Sequence, residues 1–486
     1  MRPAASAYSA TSAFSVLTAA DECPDGLALI FNGQPFTYRE IAEKTAVAMA
    51  WLQLQLRPGD SLPANVALVT EHRVETFVLL YALVELGIPA ILVSARLTPC
   101  ERQQVIDDSR VQRVLDEQWT LPTGGYGEGQ AGSLSTWGDP ERPLALINTS
   151  GVTGCPKAAI LSRRAFLASA AASARNIPLG SLDRWLLMMP LAHVGGVSIV
   201  TRCLAARACV VTGYAIGRFD PRPIAVAIEE HSVSLMSAVP TMLKRFLDEL
   251  PTWRPPASLR AILVGGAPMS SDLLELARDR GYPILTTYGL TEACSQVSAQ
   301  RFGSRPCPSI GAGEPLEGVE VRLVEGEIQM RGPTLLSGYW SHGRVLNPFS
   351  PDGWFATGDL GFFDEGGRLH LKGRRDDLII TGGENVHPAE VELIIERYSG
   401  VKAACVFGVQ DACWGEMVAA AIVPYGAARP LNLAELEQFC RRHLAPHRRP
   451  RRVAFLLELP LIPSGKINRA AIHRQVEGKL RPFLTR

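Results

Sequence analysis

The feature that most constrains this chain is the alternation of short apolar runs with helix-spaced stretches over most of its first 300 residues. Val66–Val69 reads as a strand, Val74–Leu86 as a helix, and Ala90–Val93 as a strand again. The pattern returns with a strand at Trp185–Met189, a helix at Ile224–Glu230, and strands at Leu235–Val239, Ala261–Val264 and Ile284–Thr287. Strands that alternate with helices predict parallel sheets covered on both faces, an α/β fold.

The texture changes after Gly318. Val319–Val324 with Gly326–Met330 reads as a hairpin, and Phe362–Leu371 as another around an Asp-Glu-Gly-Gly turn. From Asp377 onward a helix (Ala389–Arg397), two strands (Ala403–Val409, Met417–Val423) and a helix (Leu433–His443) follow. The expected organisation is a large domain over 1–375, its β-rich part at 318–375, and a small α+β domain over 376–486. Pro122–Pro140, rich in Gly, Ser and Pro, reads as an exposed loop. Met1–Ala20 lacks a continuous apolar core and reads as a frayed leader, not a signal peptide.

Charge excludes some functions. The net charge is +1, and the only dense basic stretch is Arg441 to Arg452, so neither nucleic acid nor an anionic membrane is an expected partner. Ten cysteines without CxxC pairs fit a reducing cytoplasm better than a zinc site or a disulfide framework. No apolar run approaches the ~20 residues of a membrane-spanning helix. A homo-oligomer is compatible with these properties.

Four motifs carry chemistry. Asn148-Thr149-Ser150-Gly151-Val152-Thr153-Gly154-Cys155-Pro156-Lys157 follows the apolar run Leu144–Ile147. Glycines let backbone N–H groups approach oxyanions, hydroxyls donate and lysine adds charge, which suits a phosphate-wrapping loop. It is not a Walker A loop, and an ordinary glycine-rich turn reads the same way. Thr287-Tyr288-Gly289-Leu290-Thr291-Glu292 places a hydroxyl beside a carboxylate after a strand. The pair suits a phosphate oxygen with Mg²⁺, or equally a helix N-cap at Thr291. Thr357-Gly358-Asp359 precedes Gly373-Arg374-Arg375-Asp376-Asp377; a carboxylate there can accept from two ribose hydroxyls, although such a tripeptide is also a common turn. Pro463-Ser464-Gly465-Lys466 presents one of only seven lysines, against forty-two arginines. Such sparing use hints at a position that needs a slim point charge.

Together and in this order, the four motifs resemble the acyl-adenylate-forming superfamily: acyl- and aryl-CoA ligases, peptide-synthetase adenylation domains and luciferases. The resemblance runs from Thr37-Tyr38-Arg39-Glu40 to Arg469. It implies an ATP-dependent ligase that makes an acyl-adenylate and then passes the acyl group to a thiol. It implies that Thr149, Ser150, Gly151, Thr153, Gly154 and Lys157 hold phosphate. Gly266, Ala267, Pro268, Thr287 and Tyr288 would flank adenine, with Asp359 and Arg374 on the ribose. Thr291 would touch phosphate, Glu292 would hold Mg²⁺, and Lys466 would bridge carboxylate and α-phosphate. Val152 departs from the family's usual threonine and Ala158 from its frequent glycine, so one hydroxyl donor is missing. The resemblance also implies a hinge at Asp376 that swings Lys466 out and Gly382-Gly383-Glu384-Asn385 in, with Gly383 lining a pantetheine tunnel.

Trp414, for stacking on CoA adenine, and Arg448 and Arg449, for its phosphates, match positions of aryl-CoA ligases. A core tryptophan and a solvated basic turn would look alike. Within the superfamily, Leu259–Pro268, Tyr282–Ile284 and Tyr288–Gln296 resemble the o-succinylbenzoate–CoA ligases of menaquinone biosynthesis. That likeness assigns Arg202 to a second substrate carboxylate, on a helix entered through Pro190–Gly196, and puts His193 and Gly289 beside the acid. A surface arginine on a helix is the bland alternative. Other acids (benzoate- or coumarate-like) and a carrier-protein thiol remain as competing expectations, and the role of His193 stays open.

Overall fold

Val66–Thr70 and Ala90–Ser94 are buried along their whole length. A strand without a polar face must be covered on both sides, and that requirement organises the molecule. The structure, a computed structural model, describes residues 12–55, 66–111, 113–122, 139–149, 157–214, 219–304, 311–411, 413–426, 431–462 and 466–483.

A seven-stranded sheet runs in the order Arg344–Leu346, Gly338–Ser341, Lys157–Ser162, Pro143–Thr149, Ala90–Ser94, Val66–Thr70, Arg113–Leu115, and its last four strands are parallel. A nine-stranded sheet carries a parallel block of Ile284–Leu290, Ala261–Val264, Leu235–Ala238, Arg184–Leu186, Cys209–Thr212 and Leu27–Phe31. Helices Tyr38–Gln55, Val74–Leu86, Arg163–Asn176 and Val194–Ala206 share one apolar core with both sheets. Pro221–Glu230, Pro240–Glu249 and Ser271–Asp279 cover the outer face of the larger sheet, and side chains of Pro99–Ser109 pack on that of the smaller. Helices therefore lie on both faces of both sheets, as the alternation of runs predicts.

Two smaller sheets follow. Glu320–Val324, Glu327–Arg331, Phe355–Phe363 and Leu369–Arg374 form an antiparallel sheet. A six-stranded sheet centres on Gly415–Pro424, which pairs with Val401–Asp411 and Arg452–Phe455, and has an apolar cluster on each face. Helices Pro388–Glu396 and Leu433–His443 pack on one face, and Arg469–Val476 on the other.

Three expectations change. The strand expected at Trp185–Met189 is only Arg184–Leu186, because the chain turns toward Pro190, which has no N–H to give to a ladder. The strand expected to stop at Thr287 continues to Leu290, so Thr287, Tyr288 and Gly289 lie within it. The supposed frayed leader contains helix Val16–Glu22, capped by Ser15. The hydroxyl of Ser15 and the N–H of Leu17 both donate to the buried carboxylate of Glu85, and Phe14, Val16 and Ala19 are buried. Two apolar residues on one face, with Phe14 just before the cap, dock such a helix even without a continuous run. Pro122–Pro140 lies mostly outside the described residues, as do residues 1–11.

Candidate active site

Strand Pro143–Thr149 and strand Lys157–Ser162 are antiparallel, with Thr149 opposite Lys157. They bracket the phosphate-loop motif, whose Ser150, Gly151, Val152, Thr153 and Gly154 lie outside the described residues. The Thr149 hydroxyl donates to the Lys157 carbonyl at 3.2 Å. The Lys157 ammonium sits 4.1 Å from the centre of the Tyr339 ring, and the Tyr339 hydroxyl donates to Glu292 Oε1 at 2.7 Å. Tyr339 thus joins the first two motifs. It reaches them because Gly338–Ser341 pairs with Lys157–Ser162, a register no local pattern announces.

Thr291 is not the helix cap that was one of its two readings. Residues Thr291–Ala293 form a single 3₁₀ turn capped by Leu290 without a side-chain bond. The Thr291 and Glu292 side chains are half-buried and face no helix of their own. Gly289 is fixed by sterics, since a Cβ there would lie 1.9 Å from the Ser295 carbonyl oxygen. Gly266, at φ +84°, follows strand Ala261–Val264, and Gly266, Ala267 and Pro268 are exposed at its C-terminal end. In parallel α/β sheets that edge is where ligands bind. Thr287 Oγ1 donates to the Ser298 carbonyl at 2.7 Å.

Asp359 and Arg374 are paired across the antiparallel sheet, with Arg374 Nε 3.1 Å from Asp359 Oδ1. The Tyr288 hydroxyl donates to Asp359 Oδ2 at 2.6 Å. The Tyr288 ring packs in the core with its hydroxyl orienting the carboxylate. Both carboxylate oxygens retain lone pairs for further donors. Burial pushes the Asp359 carboxyl up, opposed by Arg374, Tyr288 and Lys466. Lys466 Cε stands 3.3 Å from where a Cβ on Gly266 would be. The side chain is open to the cleft yet surrounded by protein at its tip. That surrounding lowers its pKa, while Asp359 and Glu292 favour the charged form. Motifs two, three and four therefore meet at one place.

His193 caps helix Val194–Ala206 without a side-chain bond, and its buried Nε2 has no partner. Burial, with Lys466 and Arg96 nearby, brings its pKa to about 4, so the ring is neutral at physiological pH. On the same helix Arg202 is 4% exposed, which removes the surface-arginine reading. Its Nη2 donates to Ser169 Oγ at 3.2 Å, the Ser169 hydroxyl donates to the Cys294 carbonyl at 2.7 Å, and Arg202 Nε has no partner. The guanidinium lies 5.8 Å from the Trp185 ring centre. Among the described residues no carboxylate pairs with it. A buried guanidinium with no anion is a costly arrangement unless a ligand supplies one.

The residues assigned to CoA are placed differently. Gly382 and Gly383, at φ +59° and +85°, form the two-residue turn between Ile379–Thr381 and Glu384–Val386. A Cβ on Gly383 would meet nothing within 4 Å, so the turn's backbone demands glycine there, not crowding. A Cβ on Gly382 would lie 2.7 Å from the Trp414 ring. Arg448 is bonded to Glu390 at 2.8 Å. Arg449 donates to the carbonyls of Leu444 and Arg441, closing the end of helix Leu433–His443. Both expected cations are thus engaged. Arg451, missed in the sequence, lies 4.3 Å over the partly exposed Trp414 ring. Asp376 is exposed between the two smaller sheets.

A single half-open carboxylate, Glu292, with one oxygen held by Tyr339, fits Mg²⁺, which usually takes one or two protein carboxylates and leaves the rest to phosphates and water. Among the described residues no helix is long and apolar enough to cross a membrane.

The chain matches the family model described as AMP-binding enzyme over residues 16–340, and that of the AMP-binding enzyme C-terminal domain over 390–466. It is 32% identical to a 2-succinylbenzoate–CoA ligase of Enterococcus faecalis, covering 95% of this chain and 98% of the relative. It is 34% identical to the 2-succinylbenzoate–CoA ligase of Geobacillus kaustophilus, over 93% of this chain and 96% of that one. Among solved structures it resembles the Bacillus subtilis o-succinylbenzoate CoA synthetase in complex with its acyl-adenylate intermediate. That match has a TM-score of 0.82 at 30% identity, covering 94% and 97% of the two chains. The same synthetase with ATP and magnesium matches at a TM-score of 0.81.

Proposed function

The chain belongs to the AMP-binding enzyme family, and from that premise we propose that it is an AMP-forming ligase joining 2-succinylbenzoate to coenzyme A. The observation that carries the choice of acid is Arg202, a buried guanidinium with no carboxylate partner among the described residues, on the helix entered through His193. The substrate has two carboxylates. One is activated and the other needs a cation, which Arg offers with a planar fork.

In the first step a carboxylate oxygen of the acid attacks the α-phosphorus of ATP and pyrophosphate leaves. Lys466 lies between the two anions and stabilises charge that grows on the phosphoryl oxygens. Asp359, oriented by Tyr288 and Arg374, accepts from the ribose hydroxyls. Lys157 and the loop before it hold the leaving phosphates, and Glu292 would hold Mg²⁺, which supplies charge neutralisation there. His193, neutral and lacking a partner at Nε2, contributes a polar edge to the acyl pocket and no proton. In the second step the sulfur of CoA attacks the acyl carbon, and AMP and a proton are released. We assign the lid to residues 376–486, pivoting at Asp376, and the cytoplasm, where ATP and CoA are found, as the site of action.

A panel of acids tests the substrate. Pyrophosphate release is expected with 2-succinylbenzoate and not with simple benzoates; the reverse pattern would sink the assignment.

For CoA, the cation over Trp414 is Arg451. Arg451→Ala and Trp414→Ala are each expected to raise KM for CoA about tenfold, roughly 1.4 kcal/mol, without changing pyrophosphate release. Arg448→Ala, whose partner is Glu390, is expected to change KM for CoA less than Arg451→Ala does. Steady-state kinetics with CoA varied decides between the two arginines.

A further inference from the structure

Lys466 opens the described run 466–483; Pro463, Ser464 and Gly465 of its motif lie outside the described residues. Leu461 and Ile467 form an antiparallel bridge, the Ile462 N–H donates to the Lys466 carbonyl at 2.8 Å, and the Asn468 N–H donates to the Pro460 carbonyl at 2.8 Å. These bonds hold Lys466, Ile467 and Asn468 against Pro460, Leu461 and Ile462 but do not set the place of Lys466 in the molecule. Its place is set by the next residue, Arg469, the first of helix Arg469–Val476. Arg469 binds both oxygens of Glu392, at 2.6 and 3.0 Å, and donates to the Val406 carbonyl at 2.8 Å. Glu392 is buried and also accepts from the Val406 N–H at 2.7 Å. The remaining nitrogen, Nε, faces Asp377 Oδ2 at 3.5 Å.

Asp377 belongs to the connector between the two smaller sheets. Two residues earlier, Arg375 is fastened in the opposite direction. Its N–H donates to the Gly358 carbonyl at 2.8 Å, and its guanidinium pairs with Glu327 at 2.7 Å. Glu327, buried, accepts in turn from the Gly358 N–H at 2.9 Å. Gly358 immediately precedes Asp359. One side of the connector is therefore tied to strand Phe355–Phe363, which bears the ribose-binding carboxylate, and the other to the segment that begins with the lysine. Only Asp376, exposed, lies between the two ties.

We propose that Arg469 and Asp377 are positioning residues for adenylation: their ion pair ties the segment Lys466–Arg469 to the connector, so that the connector's conformation sets where the ammonium sits. This deepens the ligase reading given above and rests on it. A partly exposed pair contributes little to stability, yet displacing a reacting group by about 1 Å costs on the order of 10²-fold in rate. The pair is therefore expected to matter for rate and not for folding.

The test uses the full chain and whichever acid of the panel the wild-type protein activates. A wrong substrate assignment then shows in the wild-type panel and not in the variants. Asp377→Asn and Arg469→Lys are expected to lower kcat for pyrophosphate release about 10- to 10²-fold, with KM for ATP within twofold. Conversion of supplied acyl-adenylate by CoA should stay within twofold, and Asp377→Glu should restore most of the loss. In a Lys466→Ala background, Asp377→Asn should add nothing, because a residue that acts through the lysine has nothing left to position. Equal losses in both steps, additive losses in the double variant, or an unchanged kcat would each overturn the proposal. Should Arg469→Lys fail to fold, the half-buried Asp377 carries the test alone.

Discussion

Lys466→Ala is expected to lower pyrophosphate release by about 10²–10³-fold while CoA still captures supplied acyl-adenylate at a rate within a few-fold of wild type. The reason is the charge at the cleft. The carboxylate of the acid must approach a polyphosphate, and the pocket already contains the carboxylates of Asp359 and Glu292, whose fields act on Lys466. Lys157, the cation of the phosphate-loop motif, is held against the Tyr339 ring, and Arg374 is bonded to Asp359. Among the cations of the four motifs that lie in the described residues, Lys466 is thus the one left for the reacting oxygens. In the second step the attacking group is a thiol and the acyl carbon carries no charge, so the same lysine contributes little. Lys466→Arg is expected to rescue poorly. A lysine ends in a compact ammonium on a slim chain, and the broad planar guanidinium of arginine does not place its charge at the same point. Separate assays of the two half-reactions check this; equal loss of both would remove Lys466 from its assigned role.

Contiguous motifs are what the sequence makes legible. The strand–helix alternation predicts the parallel sheets because burial on both faces leaves a direct mark, an apolar run with no polar face. Helices Val74–Leu86 and Leu433–His443 can be placed to the residue: the first is an apolar stretch, buried all round, that stops at Gly87, and the second has one apolar face. The meeting of Asp359, Glu292 and Lys466 is not written in any one segment; it follows only from the order of motifs that resemble a known family. Features made by register stay hidden. Tyr339 enters the site through the pairing of Gly338–Ser341 with Lys157–Ser162, and Arg451 reaches Trp414 through the placing of Arg452–Phe455 beside Gly415–Pro424. Arg449 shows another bond that the sequence hides. Its charge suggests a phosphate ligand, and its guanidinium also donates to the unsatisfied carbonyls at the end of a helix. Tyr288 belongs with these cases: the bond from its hydroxyl to Asp359 joins two segments far apart in the chain, which no local pattern announces.

Arg202→Met is expected to reduce kcat/KM for 2-succinylbenzoate by about 10²–10³-fold while leaving the protein at least as stable as before. The two effects have one cause. With no ligand the guanidinium is buried against Trp185 and Ser169, its Nε unpaired, and no described carboxylate bonds to it. Burial draws its pKa down to about 10, still far above neutrality, so the charge persists and its desolvation is a standing cost to the fold. Methionine has similar length and no charge, so it removes that cost and leaves little cavity. The ring carboxylate of the substrate then enters an apolar pocket with no cation to meet it, and losing one partner of a buried charge pair costs roughly 2–5 kcal/mol. An analogue without that carboxylate, 4-oxo-4-phenylbutanoate, separates the causes. Wild type should discriminate against it, because it leaves Arg202 unpaired, whereas Arg202→Met should accept it as well as or better than the diacid. Thermal unfolding and kcat/KM for the two acids are the measurements. A melting temperature several degrees lower would mean that the arginine holds the fold together, and an unchanged preference for the diacid would place the second carboxylate somewhere other than beside Arg202.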